Sequence, residues 1–195
     1  MNRFARGFTL PELMVVLALA AVILGIGAPF FRDYQRNNRL TVAANDILGL
    51  VLTSRVEALR RQITVSMCPS ASPEAADATC DGGTGWIVFQ DTNGDCARDA
   101  GEELITGRRV DSDVEAFTNS NCISFMSTGF KRLVAGLPTT SHMLFCDDRG
   151  NTPRTPDNPF SVARGIEVGP TGRGTVVKRV DEIDDWGGSG GVSCP

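Results

Sequence analysis

Gly7-Phe8-Thr9-Leu10-Pro11-Glu12-Leu13 opens the stretch that decides the reading, because residues 13–31 then run for 19 positions without a charge. At a helical rise of ~1.5 Å per residue such a run spans roughly 28 Å, close to the ~30 Å hydrocarbon core of a bilayer. Arg3 and Arg6 precede it, and Arg32, Arg36 and Arg39 follow. Basic residues on both sides leave the orientation open by charge alone. The remainder of the chain is polar and rich in Gly and Pro. The pattern is a membrane anchor followed by one domain, as 195 residues allow.

Two ordinary readings compete. A secretory signal peptide has a basic start, a short apolar core and a small-residue cleavage site, which Ala18-Leu19-Ala20 could supply. The apolar run continues well past that point, however, and Glu12 sits at its start. A plain signal anchor does not account for Glu12 either. A carboxylate at membrane depth is costly without a partner, and none stands nearby in this chain. A free α-amino group on another chain would suit it.

The segment resembles the type IV prepilin signal: a short basic leader ending in Gly, then Phe, then Glu at the fifth mature position, then an apolar helix. The resemblance implies that a prepilin peptidase cuts between Gly7 and Phe8 and methylates Phe8. It also implies that Glu12 pairs with the Phe8 amine of a neighbouring subunit. Pro11 departs from the usual aliphatic residue, but it falls in the first helical turn, where proline is tolerated.

The helical pattern continues beyond the anchor. Leu40, Ala44, Ile47, Leu48, Val51, Leu52, Val56 and Leu59 recur at steps of three and four, with Arg and Asn on the other face. This predicts an amphipathic helix that lays its apolar stripe on a sheet. A helix over 8–62 would be roughly 80 Å long at ~1.5 Å per residue. Gly25, Gly27 and Pro29 interrupt it and mark a kink.

All six cysteines, Cys68, Cys80, Cys96, Cys122, Cys146 and Cys194, follow the anchor, and no C-x-x-C pair occurs. An even, widely spaced set reads as disulfides in an oxidising compartment, which places the domain outside the cytoplasm. Free buried thiols are the alternative. Zinc fits poorly, because His142 is the only histidine. Six cysteines allow fifteen connectivities. The expected set is Cys68 with Cys80 around a loop rich in Pro, Ser and Ala, Cys146 with Cys194 stapling the tail to a strand, and Cys96 with Cys122 by elimination.

Short strands are expected at 63–68, 85–90, 103–110, 123–127, 142–146, 165–168 and 175–180, separated by turn residues. The fold class is therefore α+β: a long N-terminal transmembrane and amphipathic helix packed on antiparallel β-sheet. The segments are a leader at 1–7, a transmembrane helix at 8–31, an amphipathic helix at 32–62 and a disulfide-containing, β-rich domain at 63–195. Gly85-Trp86-Ile87-Val88-Phe89, the acidic stretch from Asp91 to Leu104, Cys146-Asp147-Asp148-Arg149-Gly150 and Gly169-Pro170-Thr171-Gly172-Arg173 make the chain similar to the GspH/FimT family. That resemblance implies a pilin-like fold. It also implies a structural role as a minor pilin of type IV pili or a minor pseudopilin of type II secretion.

Removing Arg3 and Arg6 with the leader leaves 17 basic against 23 acidic side chains, a balance of −6. This argues against broad nucleic-acid binding, which needs a basic face. Some FimT-type pilins bind DNA through a C-terminal Gly-Arg-x-Arg motif. Here Thr175 replaces the second Arg, and Arg164, Arg173, Lys178 and Arg179 are followed directly by Asp181, Glu182, Asp184 and Asp185. Asp91, Asn93, Asp95, Asp99 and Glu102 stand at positions 1, 3, 5, 9 and 12 of an EF-hand-like loop, a spacing that can wrap Ca2+. Cys96 takes the usual Gly position, and an acidic hairpin turn is the alternative. Gly187-Gly188-Ser189-Gly190-Gly191 matches a nucleophile pattern in letters but lacks the strand and helix that pattern needs. No catalytic triad or phosphate loop appears, so an enzyme is not expected, and no cofactor beyond the calcium reading.

The expected role is that of a single-pass inner-membrane protein with a periplasmic domain, later built into a pilus or pseudopilus. Its expected partners are other minor and major pilins through the N-terminal helix, prepilin peptidase and the inner membrane; DNA, through the basic cluster, is an alternative and not the expected partner.

Overall fold

A computed structural model describes residues 9–187 and 191–194. Helix α1 (Leu10–Arg61) comes first, followed by β1 (Val65–Ser70), β2 (Gly85–Gln90), β3 (Leu104–Arg108), β4 (Glu115–Thr118), β5 (Ile123–Phe125), β6 (Ser141–Cys146), β7 (Phe160–Val168) and β8 (Gly174–Arg179). A short helix α2 (Val180–Asp184) and a 3-10 turn (Asp185–Gly187) follow β8. The strands form two four-stranded sheets, ordered β3-β2-β1-β5 and β4-β6-β7-β8, with every pair antiparallel. The architecture is the α+β arrangement of helix and antiparallel sheet.

The chain divides into two compact units, Met1–Asn38 and Arg39–Pro195. In the first, described residues of α1 present Leu13, Met14, Val15, Val16, Leu17 and Leu19 to the surroundings, each more than half exposed. Helices apolar on every side belong in a membrane or in the core of an assembly.

In the second unit α1 is one-sided. Leu40, Ala43, Ala44, Ile47, Leu50, Val51, Ser54 and Ala58 are buried at steps of three and four. They meet Val65 and Met67 of β1, Trp86 and Val88 of β2, Ile123 and Phe125 of β5, Met143 and Phe145 of β6, and Ile166 and Val168 of β7 in one core. Successive side chains of a strand point to opposite faces, so the alternate residues form the backs of the sheets. The back of the first sheet, Cys68, Ile87 and Phe89, packs under Ala78 of the 71–84 loop. The back of the second, Leu144, Cys146 and Ala163, packs under Ile183 and Val192 of the C-terminal segment.

Disulfides hold both covers in place. Cys68 is bonded to Cys80 and Cys146 to Cys194, while Cys96–Cys122 ties the β2–β3 connection to the start of β5. Bridges of this kind contribute ~2–4 kcal/mol each, because they restrict the unfolded chain.

Several boundaries differ from the sequence expectation. β1 begins and ends two residues later than 63–68, because Gln62, with φ +57, ends the helix in a left-handed turn. β4 was not expected. It is an edge strand of four residues with one strongly apolar side chain, Phe117, so it carries little alternation. β7 is longer than 165–168, and its register with β8 shifts between Phe160 and Gly165. On α1, Leu52, Val56 and Leu59 are exposed although the stripe included them. The small Ser54 and Ala58 take the sheet-facing positions instead.

Candidate functional site

The N-terminal helix is the first candidate. Gly7 and Phe8 lie outside the described residues. Glu12 lies in the first turn of α1 and is exposed. An acid there suits the partial positive charge of a helix start. Among the described residues no single straight helix is long and apolar enough to cross a membrane. Leu10–Gly25 and Phe30–Arg61, joined across a 42° bend, meet those criteria together. Gly25, Gly27 and Pro29 flank or occupy the bend, and a proline has no backbone N–H to give to the helix.

The C-terminal end of α1 is fixed to the first sheet by charge. Arg61 donates to Glu57 at 2.6 Å and to Glu103, just before β3, at 2.5 Å. Arg60, and after it Arg61, hold the Glu57 carboxyl below its usual range, and Arg61 does the same for Glu103.

The acidic loop between β2 and β3 is the second candidate. Asp91 is fully buried, and its Oδ2 accepts from Ser66 Oγ at 2.5 Å and from the Cys96 N–H at 3.3 Å. Asn93 Nδ2 donates to Asp95 Oδ2 and Asp99 Oδ2, both at 2.9 Å. Glu102 clamps the loop, accepting from the Thr92 N–H at 2.7 Å and the Asp99 N–H at 3.0 Å. Cys96 adopts φ +66, the left-handed conformation that favours Gly at this position. All five residues singled out by spacing are thus brought together. As the side chains stand, no group of three or more His, Cys, Asp or Glu among the described residues is arranged to hold a metal ion.

The basic residues do not form one patch. Arg164 is buried and folds back on its own strand, donating through Nη1 to the carbonyls of Ser161, Val162 and Ala163. Burial pushes its guanidinium down to about 10. Arg173 is exposed before β8, and Lys178 and Arg179 are exposed at its far end. Lys178 lies five residue steps along the chain from Arg173, roughly 17 Å at ~3.3 Å per residue. Arg179 is paired with Asp181 at 2.8 Å and lies 3.5 Å from Glu182.

Two polar features escaped the sequence reading. Lys131 is buried, and its Nζ donates to the carbonyls of Pro138 and Thr139 and to Ser141 Oγ. Burial pushes its amine down to about 8. His142 stacks on Trp186. Neither contact has a local sequence signal, since each joins residues far apart in the chain or held by loop conformation.

The family comparisons fit this geometry. The model of the family described as Type II transport protein GspH matches residues 43–172. The Prokaryotic N-terminal methylation motif matches residues 2–28. The Pilin-like protein PilA1 of Thermus thermophilus is 33% identical over 101 residues, 51% of this chain and 56% of its own length. The Prepilin peptidase-dependent protein D of Escherichia coli is 37% identical over 82 residues, 42% of this chain and 47% of its own length. The chain spans about half the length of these relatives. The type IV minor pilin FimU of Pseudomonas aeruginosa shares the fold, with a TM-score of 0.51 and 16% identity over 74% of this chain and 92% of its own. With the GspH model covering most of its second unit and the methylation motif its start, this chain belongs to the GspH family of pilin and pseudopilin subunits.

Proposed function

We propose that the protein is a minor pilin of a type IV pilus, a structural subunit of the tip or initiation complex that promotes assembly. The observation that carries this reading is the apolar helix within the methylation motif, whose side chains find no cover among the described residues. In this account the leader is removed between Gly7 and Phe8, and the helix leaves the inner membrane for the core of a filament. Glu12 sets the register against the amine of a neighbour. The disulfide-stapled domain faces the periplasm and recruits other pilins.

The pseudopilin reading uses the same physics, and the description of the matched family as a type II transport protein favours it. Counting surface pili on cells lacking the gene, beside a complemented strain, separates the two. Loss of pili with recovery on complementation is the expected result. Normal pili with impaired protein secretion would move the assignment to the pseudopilus.

A further inference from the structure

Asp91 carries the inference. Its side chain is fully buried, yet Oδ1 meets no donor among the described residues. Its carboxylate points into the curve of the loop, because Oδ2 accepts from the Cys96 N–H five residues on. Ser124 Oγ is also buried without a donor or acceptor. Ser124 stands directly across from Ser66, the residue whose hydroxyl donates to Asp91. One oxygen of this buried carboxylate is therefore left without a donor among the described residues. A buried charge with an unmet oxygen is costly unless a cation or a donor reaches it.

Among the described residues no basic side chain is paired with Asp91. Asp91, Asp95, Asp99 and Glu102 gather on a twelve-residue turn, and among the described residues none pairs with a base. Two arginines touch the loop: Arg98 donates to the carbonyls of Glu102 and Ala78, and Arg132 to that of Gly94.

We propose that this loop, 91–102, binds one calcium ion. Asp91 Oδ1, the Asn93 side-chain oxygen, Asp95, Asp99 and Glu102 are the side-chain ligands. A hard divalent cation wants six to eight oxygens, and carboxylates at this spacing supply them. Each carboxylate oxygen accepts two bonds, so those already facing loop N–H groups keep a lone pair. Asp95 Oδ2 and Asp99 Oδ2 converge on Asn93 Nδ2 at 2.9 Å each. Rotation of that carboxamide gives up the bond its oxygen accepts from the Asp95 N–H at 3.1 Å, removes the nitrogen and turns the oxygen to the ion. Cys96 holds the left-handed turn under its disulfide to Cys122, so the loop keeps its curvature without Gly at that position. The proposal is independent of the assembly role.

The test uses the full chain in detergent, with its disulfides formed and stripped with EGTA. Titration with CaCl2 by calorimetry is expected to show one saturable site, weaker than ~10⁻⁵ M, as in extracellular calcium modules. The melting temperature rises with CaCl2. Asp95→Asn, at an exposed position, melts like the parent in EGTA and binds calcium at least tenfold more weakly. No saturable heat and no melting shift up to roughly 10 mM, beyond the weakest such sites, would overturn the proposal. So would unchanged binding in Asp95→Asn.

Discussion

The indole of Trp186 lies flat on the imidazole of His142, with ring centres 4.3 Å apart and planes 4° from parallel. Gly165 makes the contact possible, because a Cβ there would come within 2.5 Å of the indole carbons. Gly165→Ala therefore forces the ring away and overpacks the back of the second sheet. A loss of about 1–3 kcal/mol is expected, read by chemical denaturation. Unchanged stability would show that the C-terminal segment shifts freely.

His142 also predicts a pH dependence. Burial holds its imidazole below the usual 6.5, and Lys131 adds to this, while Glu167, 3.5 Å from Nε2, opposes it and does not prevail. Below that pH the unfolded chain takes up a proton that the folded chain refuses, so stability falls as pH drops through the window beneath 6.5. His142 is the only histidine, so its ring protons titrate alone in an NMR spectrum. A midpoint below 6.5 is expected, and the stability difference between parent and His142→Gln narrows as pH falls. A midpoint above 6.5 would reverse the sign.

The tail is held at its end as well as by stacking. Cys146–Cys194 closes 48 residues of chain. Cys146→Ala combined with Cys194→Ser is expected to cost about 2–4 kcal/mol. Limited proteolysis of this variant trims the tail before the sheets are cut. Simultaneous loss of tail and sheets would mean that the segment is integral to the core.

On α1, Ala58 is buried against the sheets while Val56, two residues away, is more than half exposed. Ala58→Leu is expected to cost about 1–3 kcal/mol through overpacking. Val56→Ser is expected to stay within ~0.5 kcal/mol of the parent, as surface changes do. Thermal melts of both variants check this, and a costly Val56→Ser would show that the exposed strip is not free.

How much of this was legible in the chain follows from which interactions are local. The long helix shows because its pattern is periodic and its buffer of nineteen uncharged residues is unbroken. β2 shows because Trp86, Ile87, Val88 and Phe89 form a compact apolar run between turn residues. β4 does not, since an edge strand needs little apolar alternation. The end of the helix stripe is not legible from hydrophobicity, because the small Ser54 and Ala58 face the sheets there while the larger Leu52, Val56 and Leu59 are exposed. The five oxygen-bearing loop residues show by spacing alone. Arg164 read as a surface cation because nothing in its neighbours announces the bulge that buries it.

The central claim is that this chain is processed and built into a filament as a pilin. Mass spectrometry of the protein recovered from sheared surface filaments tests it most directly. The account predicts a mature N-terminus at Phe8 carrying one methyl group on its amine, in a protein co-purifying with pilus subunits. An N-terminus at Met1 or beyond Ala20, or absence from filaments and from other pilin assemblies, would contradict it.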